Sequence, residues 1–294
     1  LEMTAPQKCC LEWDTMYEIV ETRRLAEGIH LLEIQAPLIA AHARAGQFVM
    51  VMTDESGERI PLTMADWDTR KGTVTIIALE AGKTTMRLGT LKKGDRLRSI
   101  VGPLGTETHT QGLGNVVCVG GGIGIALMYP VVKAMKQAGN YVISIMGARN
   151  RDLLILEKEI SDWSDEVIIC TDDGSKGVHA FTPDMLRKLL DEKRKIDAVY
   201  AVGPVIMMKI ISDLTRPCGI HTIVSLNPIM VDGTGMCGSC RVEIDGHTKF
   251  GCVDGPDFDG HRVDFNLLNA RNRRYLEEEK ASAEKFRKEE SSHA

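Results

Sequence analysis

The sequence lacks any apolar run near the ~18 residues that a membrane-spanning helix requires. Its apolar stretches are interrupted by glycine or charge within a few residues. No secretory leader is visible: LEMTAPQKCCLEW has neither a basic start nor an apolar centre. Both absences lead to the expectation of a cytoplasmic protein. A basic stripe is missing as well. With 36 Lys and Arg against 41 Asp and Glu, the net charge is −5. Nothing in that balance would release counterions from a phosphate backbone, so nucleic acid is excluded as the expected partner. A second C-x2-C pair, the usual sign of a structural zinc site, is also absent.

What is present fits a globular chain of two or three modest domains: 294 residues, 43% hydrophobic and 26% charged. Residues 1–16 show no periodicity and read as a leader without order. From Tyr17 to about 108, short alternating runs separated by glycine turns predict an antiparallel β-barrel. Two of them flank Ala26–Glu27–Gly28; others are GQFVMVMTD, GTVTIIALEAG and GDRLRSIVGPLG. Over 109–222 strands alternate with helical patterns, which predicts a parallel α/β sheet. DLLILEKEISDW reads as a helix, and TPDMLRKLLDEKRK as another, with Thr182 as N-cap and Pro183 in the first turn. A cysteine-bearing segment occupies 223–266. The tail, 267–294, is a charged helix whose default place is in solvent, with docking to a partner chain as the alternative.

Of the eight cysteines, Cys118 and Cys170 lie in apolar strand-like runs and read as core residues. Cys9, Cys10 and Cys218 carry no assigned role. The chemistry concentrates in MVDGTGMCGSC and the residues after it. Cys237 and Cys240 are two apart, Cys252 follows twelve later, and Asp232 stands five before Cys237. Apart from the aspartate, that spacing is the plant-type [2Fe-2S] frame. Gly233, Gly235 and Gly238 let the backbone turn tightly and direct N–H groups at sulfur. Soft thiolates suit iron–sulfur or zinc. A degenerate loop without metal also stands open, and Asp254 or water could replace Asp232 as the fourth donor.

VGGGIGIA places Gly120, Gly121, Gly122 and Gly124 between a strand and a helix, where a dinucleotide pyrophosphate can approach the backbone. The spacing is not GxGxxG, and MGARN, not an acidic residue, ends the second strand, which points away from ordinary dehydrogenases. Arg149 could contribute to a pocket for a 2′-phosphate; its plainer reading as a surface arginine favours NAD over NADP.

Several motifs together resemble the ferredoxin–NADP reductase superfamily. RIPLT (Arg59, Ile60, Pro61, Leu62, Thr63) is similar to its flavin-binding strand, and GKTTMRL (Gly82, Thr84 and Thr85 within it) to its second phosphate-binding turn. VGPLG, with Gly102, resembles the end of its barrel. VGGGIGIALMYP and AVGPVIMM, with Gly203 and Pro204, resemble its two nicotinamide-domain motifs. TDDGS, with Asp172, is similar to a segment of dihydroorotate dehydrogenase electron-transfer subunits. Those subunits carry four cysteines. Asp232 and the charged tail instead resemble the small subunits of electron-bifurcating NADH-dependent reduced ferredoxin:NADP+ oxidoreductases, also called sulfide dehydrogenase alpha subunits. The resemblance implies FAD in the barrel, contacted by Arg59 at its diphosphate and by Thr63 at its ring. It implies NAD(H) exchanging hydride with that flavin, and a [2Fe-2S] cluster on Asp232, Cys237, Cys240 and Cys252. A large flavin/iron–sulfur subunit is the implied partner, bifurcation occurring on its second flavin. No side-chain acid or base is required. A dihydroorotate dehydrogenase subunit, a subunit of a larger redox complex and a non-catalytic adaptor are the alternatives.

Overall fold

The computed structural model describes residues 17–55 and 57–293; the leader, with Cys9 and Cys10, lies outside the described residues. Six strands form the first layer: β1 (Ile19–Ala26), β2 (Ile29–Gln35), β3 (Phe48–Met52), β4 (Ile60–Asp68), β5 (Thr73–Leu79) and β6 (Ser99–Leu104). They are antiparallel neighbours in the order β1-β2-β5-β4-β3-β6. The sheet closes on itself where Ile19 N–H reaches Asp95 O at 2.8 Å and Leu97 N–H reaches Tyr17 O at 3.1 Å. Alternation explains the barrel. On β2, Leu32 and Ile34 point inward and are fully buried, while Glu33 faces out to accept a hydrogen bond from Thr73. Gly28 turns the β1–β2 hairpin at φ 64°, a conformation that a Cβ disfavours.

The second layer contains β7 (Asn115–Gly121), β8 (Tyr141–Ala148), β9 (Glu166–Thr171), β10 (Val178–His179), β11 (Ala198–Val202) and β12 (His221–Ser225). All pair in parallel, in the order β10-β9-β8-β7-β11-β12. Helices Gly124–Gln137, Thr182–Asp191 and Val205–Thr215 cover its faces. Covered on both sides, β7 and β11 are continuous apolar runs instead of alternating ones. Cys118 and Cys170 are buried there as expected, and burial pushes the Cys118 thiol up to about 12.

Two local expectations change. Thr182 is the first helical residue and not the cap. Asp184 accepts a hydrogen bond from Phe181 N–H at 3.2 Å and so takes over the capping. DLLILEKEISDW forms only a short 3-10 turn and the five-residue helix Glu157–Ser161, because Leu156 is left-handed at φ 53° and interrupts the run.

The cysteine segment carries the hairpin β13 (Arg241–Ile244) and β14 (His247–Phe250), and then β15 (Asp257–Asp259). The β15 strand joins the second sheet, antiparallel to β12. The expected boundary at 222/223 therefore falls inside β12. The tail forms two helices, Phe265–Asn272 and Leu276–His293. No helix among the described residues is long and apolar enough to cross a membrane.

Candidate cofactor cleft and cysteine loop

A cleft of about 530 Å³ opens between the two layers. Its barrel wall is Phe48, Pro61, Leu62, Thr63, Ile77, Leu79 and Thr85; its opposite wall is Gly121, Gly122, Gly124, Leu127, Gly203 and Pro204. Nine of the sequence-predicted residues thus meet in one place. The glycines have separate reasons. Gly122 has φ 58°. A Cβ on Gly124 would stand 2.2 Å from Val202 O, so only glycine lets the helix start so close to β11. The helix Gly124–Gln137 then presents its N-terminus to the cleft, where a phosphate is favoured.

The other predicted residues lie outside this lining. Arg59 is exposed just before β4. Thr84 is buried and donates to Glu58 at 3.3 Å. Gly82 gives its N–H to Thr85 Oγ1 at 3.0 Å. Gly102 packs on β3, where a Cβ would lie 2.7 Å from Val49 Cγ1, and Gly120 packs on Ile125. Asp172 is exposed in the turn after β9, and Arg149 is exposed after β8.

A third wall was not anticipated: Ser225, Leu226, Asn227, Pro228, Met230 and Pro256. The available signal was position. Ser225 ends β12, and ligands of parallel sheets bind beyond the carboxyl ends of the strands.

The cysteine loop adjoins that wall. Cys240 and Cys252 are buried, their sulfurs 3.2 Å apart, well beyond a disulfide bond. Burial, and then the neighbouring Cys240 sulfur, push the Cys252 thiol well above the ordinary range. Cys237 is exposed, and hydrogen bonding from Ser239 holds its thiol below the ordinary range. Asp232 accepts from Thr234 N–H at 2.8 Å and from Cys237 N–H at 2.7 Å. Those two bonds hold its carboxyl low. Among the described residues no three such donors converge on one point. Cys240 and Cys252 bring their sulfurs together, while Asp232 meets Cys237 at its backbone N–H. Two buried sulfurs in contact are poor thiolates unless cationic charge offsets them. The donor set therefore fits a binuclear iron–sulfur group. Asp254, the other candidate oxygen donor, accepts from Phe250 N–H at 2.7 Å and lies 3.5 Å from Lys249 Nζ.

Phe48 and Met230 line the cleft and also pack, with Met50, against Cys240 and Cys252. The cleft lining and the buried cysteines thus share one apolar cluster.

Residues 227–264 match the family described as the iron–sulfur cluster binding domain of dihydroorotate dehydrogenase B. The chain is 47% identical to a dihydroorotate dehydrogenase B (NAD(+)) electron transfer subunit homolog of Thermotoga maritima, over 92% of this chain and 95% of that protein. It is 32% identical to the electron transfer subunit of Desulforamulus reducens, over 84% and 96%. Among solved structures, it is similar to a chain of an NADH-dependent reduced ferredoxin-NADP oxidoreductase studied for flavin-based electron bifurcation. That match has a TM-score of 0.87 and 44% identity and covers 97% and 99% of the two chains. Phthalate dioxygenase reductase shares the fold at 17% identity, with a TM-score of 0.56 over 85% and 96% of the chains.

Proposed function

The chain belongs to the family of dihydroorotate dehydrogenase B electron-transfer subunits and their homologues, and from that membership we propose that it is the NAD(H)-facing subunit of an electron-bifurcating NADH-dependent ferredoxin:NADP+ oxidoreductase. In this role it holds FAD in the cleft and a [2Fe-2S] cluster on Asp232, Cys237, Cys240 and Cys252. It exchanges hydride with NAD(H) and passes single electrons to or from a large flavin/iron–sulfur subunit.

Flavin supplies the chemistry: two-electron exchange with a nicotinamide and one-electron exchange with an iron–sulfur centre. The chain's own residues bind and orient. Pro61, Leu62 and Ile77 give an apolar floor for a ring system, with Thr63 as the polar group beside it. Thr85 ties the turn at Ala81 and Gly82, accepting both N–H groups at 3.0 Å, and faces the same cleft. Gly121–Gly124 and Gly203–Pro204 leave the opposite wall without bulk, so a planar nicotinamide can approach from the second layer. Phe48, Met50 and Met230 exclude water between cleft and cysteines.

The single observation that carries this function is the shared wall. Phe48 and Met230 line the cleft and belong to the apolar cluster of Cys240 and Cys252, which supports a two-electron and a one-electron site lying close together. The test is anaerobic purification of the full chain with analysis of FAD, iron and zinc, followed by titration with NADH. Flavin and iron–sulfur absorption, both bleached by NADH, are expected. A colourless protein, or one containing zinc in place of iron, refutes the proposal.

The dihydroorotate dehydrogenase role is the second reading, favoured by the dihydroorotate dehydrogenase B electron-transfer subunits among its relatives. Asp232 at the first donor position favours the bifurcating role. Co-purification and identification of the partner chain decide between them.

A further inference from the structure

The charged C-terminal helix is mostly exposed, as its charge implies, but it also buries one apolar stripe. Helix Leu276–His293 buries Ala283 and Phe286 against Met86, leaving these three side chains 5–8% exposed. Met86 belongs to helix Lys83–Thr90, whose first turn is tied by Thr85 at the edge of the cleft. Ala81, just before that turn, lines the cleft on one side. On the other it lines a small depression formed with Leu276, Ala283 and Arg287.

The preceding helix, Phe265–Asn272, has different anchors. Phe265 and Leu268 are buried in the core of the second layer. Arg271 Nη2 donates to Ser239 O at 3.1 Å, between Cys237 and Cys240. Asn272 Nδ2 donates to Asn227 O at 3.1 Å, on the third wall of the cleft. Residues 265–293 therefore touch the cysteine loop, the cleft wall and the phosphate-side turn in succession.

We propose that this segment is a strap that positions the flavin turn relative to the cysteine loop, with Phe286 and Arg271 as its two fastening residues. The strap rests on the functional reading above, because it presumes FAD in the cleft. Its physical basis is simple. Helix Lys83–Thr90 is two turns long, too short to hold its own conformation in water. Met86 needs an apolar partner, and Phe286 supplies it. Turn geometry around Ala81 and Gly82 is fixed only while that helix stays docked. The strap also explains why two apolar residues sit three apart in a helix otherwise composed largely of charge.

Coupling of this kind is reciprocal: if the docked helix raises FAD affinity, FAD must raise protection of the docked helix. The first measurement therefore uses the unaltered full chain. Hydrogen exchange of residues 276–293 is followed in FAD-stripped protein before and after FAD is added back. Slower exchange with FAD is expected; unchanged exchange overturns the strap. The second uses variants. Phe286→Ala is expected to weaken FAD retention about tenfold or more, while iron per chain stays at the wild-type value. Phe286→Leu restores retention, because it keeps an apolar contact for Met86. If Phe286→Ala holds FAD as tightly as wild type, the strap is wrong. If the unaltered protein never binds FAD, the functional reading fails instead, so the two failures are distinguishable.

Discussion

Asp257 provides the sharpest quantitative test of the interdomain junction. It lies on β15 opposite Ser225 and accepts a 2.5 Å hydrogen bond from Thr108 Oγ1 at the exit of the barrel. Its Oδ1 is buried with no hydrogen-bond partner. Burial pushes this carboxyl up to about 6, against the opposing hydrogen bonds from Thr108 and Ser225. In the unfolded chain it titrates near 3.8. The folded protein thus holds a proton through a range in which the unfolded chain has already lost it. Stability from this group is highest below the unfolded value and falls as pH rises toward 6. Two pH units correspond to about 3 kcal/mol in full, of which about 1 kcal/mol is lost between pH 5 and pH 6. Asp257→Asn removes the titration. It leaves an amide donor without a partner where Oδ1 now sits, a constant cost of about 1–3 kcal/mol. The variant is thus expected to be the less stable protein at pH 5 and to gain on wild type by about 1 kcal/mol by pH 6, with little change above. Thermal and urea unfolding of both proteins between pH 5 and pH 8 measure the difference. A difference that is flat with pH, or that grows as pH rises, refutes the placement of a buried, proton-holding carboxyl at this junction.

Further outcomes follow from other sites. Asn140 accepts from Leu113 and Gly114 N–H, both at 3.0 Å, and donates to Thr110 O at 2.7 Å and Met135 O at 2.8 Å. Asn140→Ala strips all four and should cost about 2–4 kcal/mol in urea unfolding; a loss below about 1 kcal/mol contradicts that inventory. Gly124→Ala places a methyl 2.2 Å from Val202 O. NADH-driven bleaching should slow at least tenfold while iron content stays unchanged; an unaffected rate argues that nucleotide does not use this turn. Asp232→Cys exchanges a hard oxygen donor for a thiolate and is expected to shift the cluster's midpoint potential and its spectrum. If both are unmoved, Asp232 does not bind iron.

Legibility in the sequence followed the physics of each element. Strands with one wet face alternate, and glycine turns separate them, so the barrel could be read directly. The parallel strands were legible through their continuous apolar runs and the helices between them. RIPLT stood out through its family resemblance and the glycine turn through its place between a strand and a helix, and residues of both line the cleft. The third wall had no such restriction: Ser225, Asn227 and Met230 are ordinary residues placed by where β12 ends. The three-residue strand β15 is too short to show a period and exists through its pairing with β12. Tertiary burial of Ala283 and Phe286 was masked by the charge around them. At Leu156 a left-handed residue of ordinary type interrupts a run that composition favours as one helix.

The same pairing alters how the cysteine segment is understood. It reads as a separate C-terminal module, yet it is an insertion whose two ends are pinned to neighbouring strands. Ser225 leaves β12 and Asp257 returns on β15 directly opposite. Thr106 N–H and Oγ1 both reach Gly255 O, at 2.7 and 3.1 Å, so the barrel exit grips the returning strand as well. An insertion closed at its base over one residue pair loses little entropy when it orders, because its ends are already held together. It also cannot swing as a domain on a linker would. Phe48 of the barrel and Met230 of the insertion are consequently held in one apolar cluster with Cys240 and Cys252. The spacing between cleft and cysteines is thus set by sheet hydrogen bonds and core packing. In the proposed role, electron exchange across that spacing needs no domain movement within this chain, which leaves nucleotide approach and partner contact as the steps where motion enters.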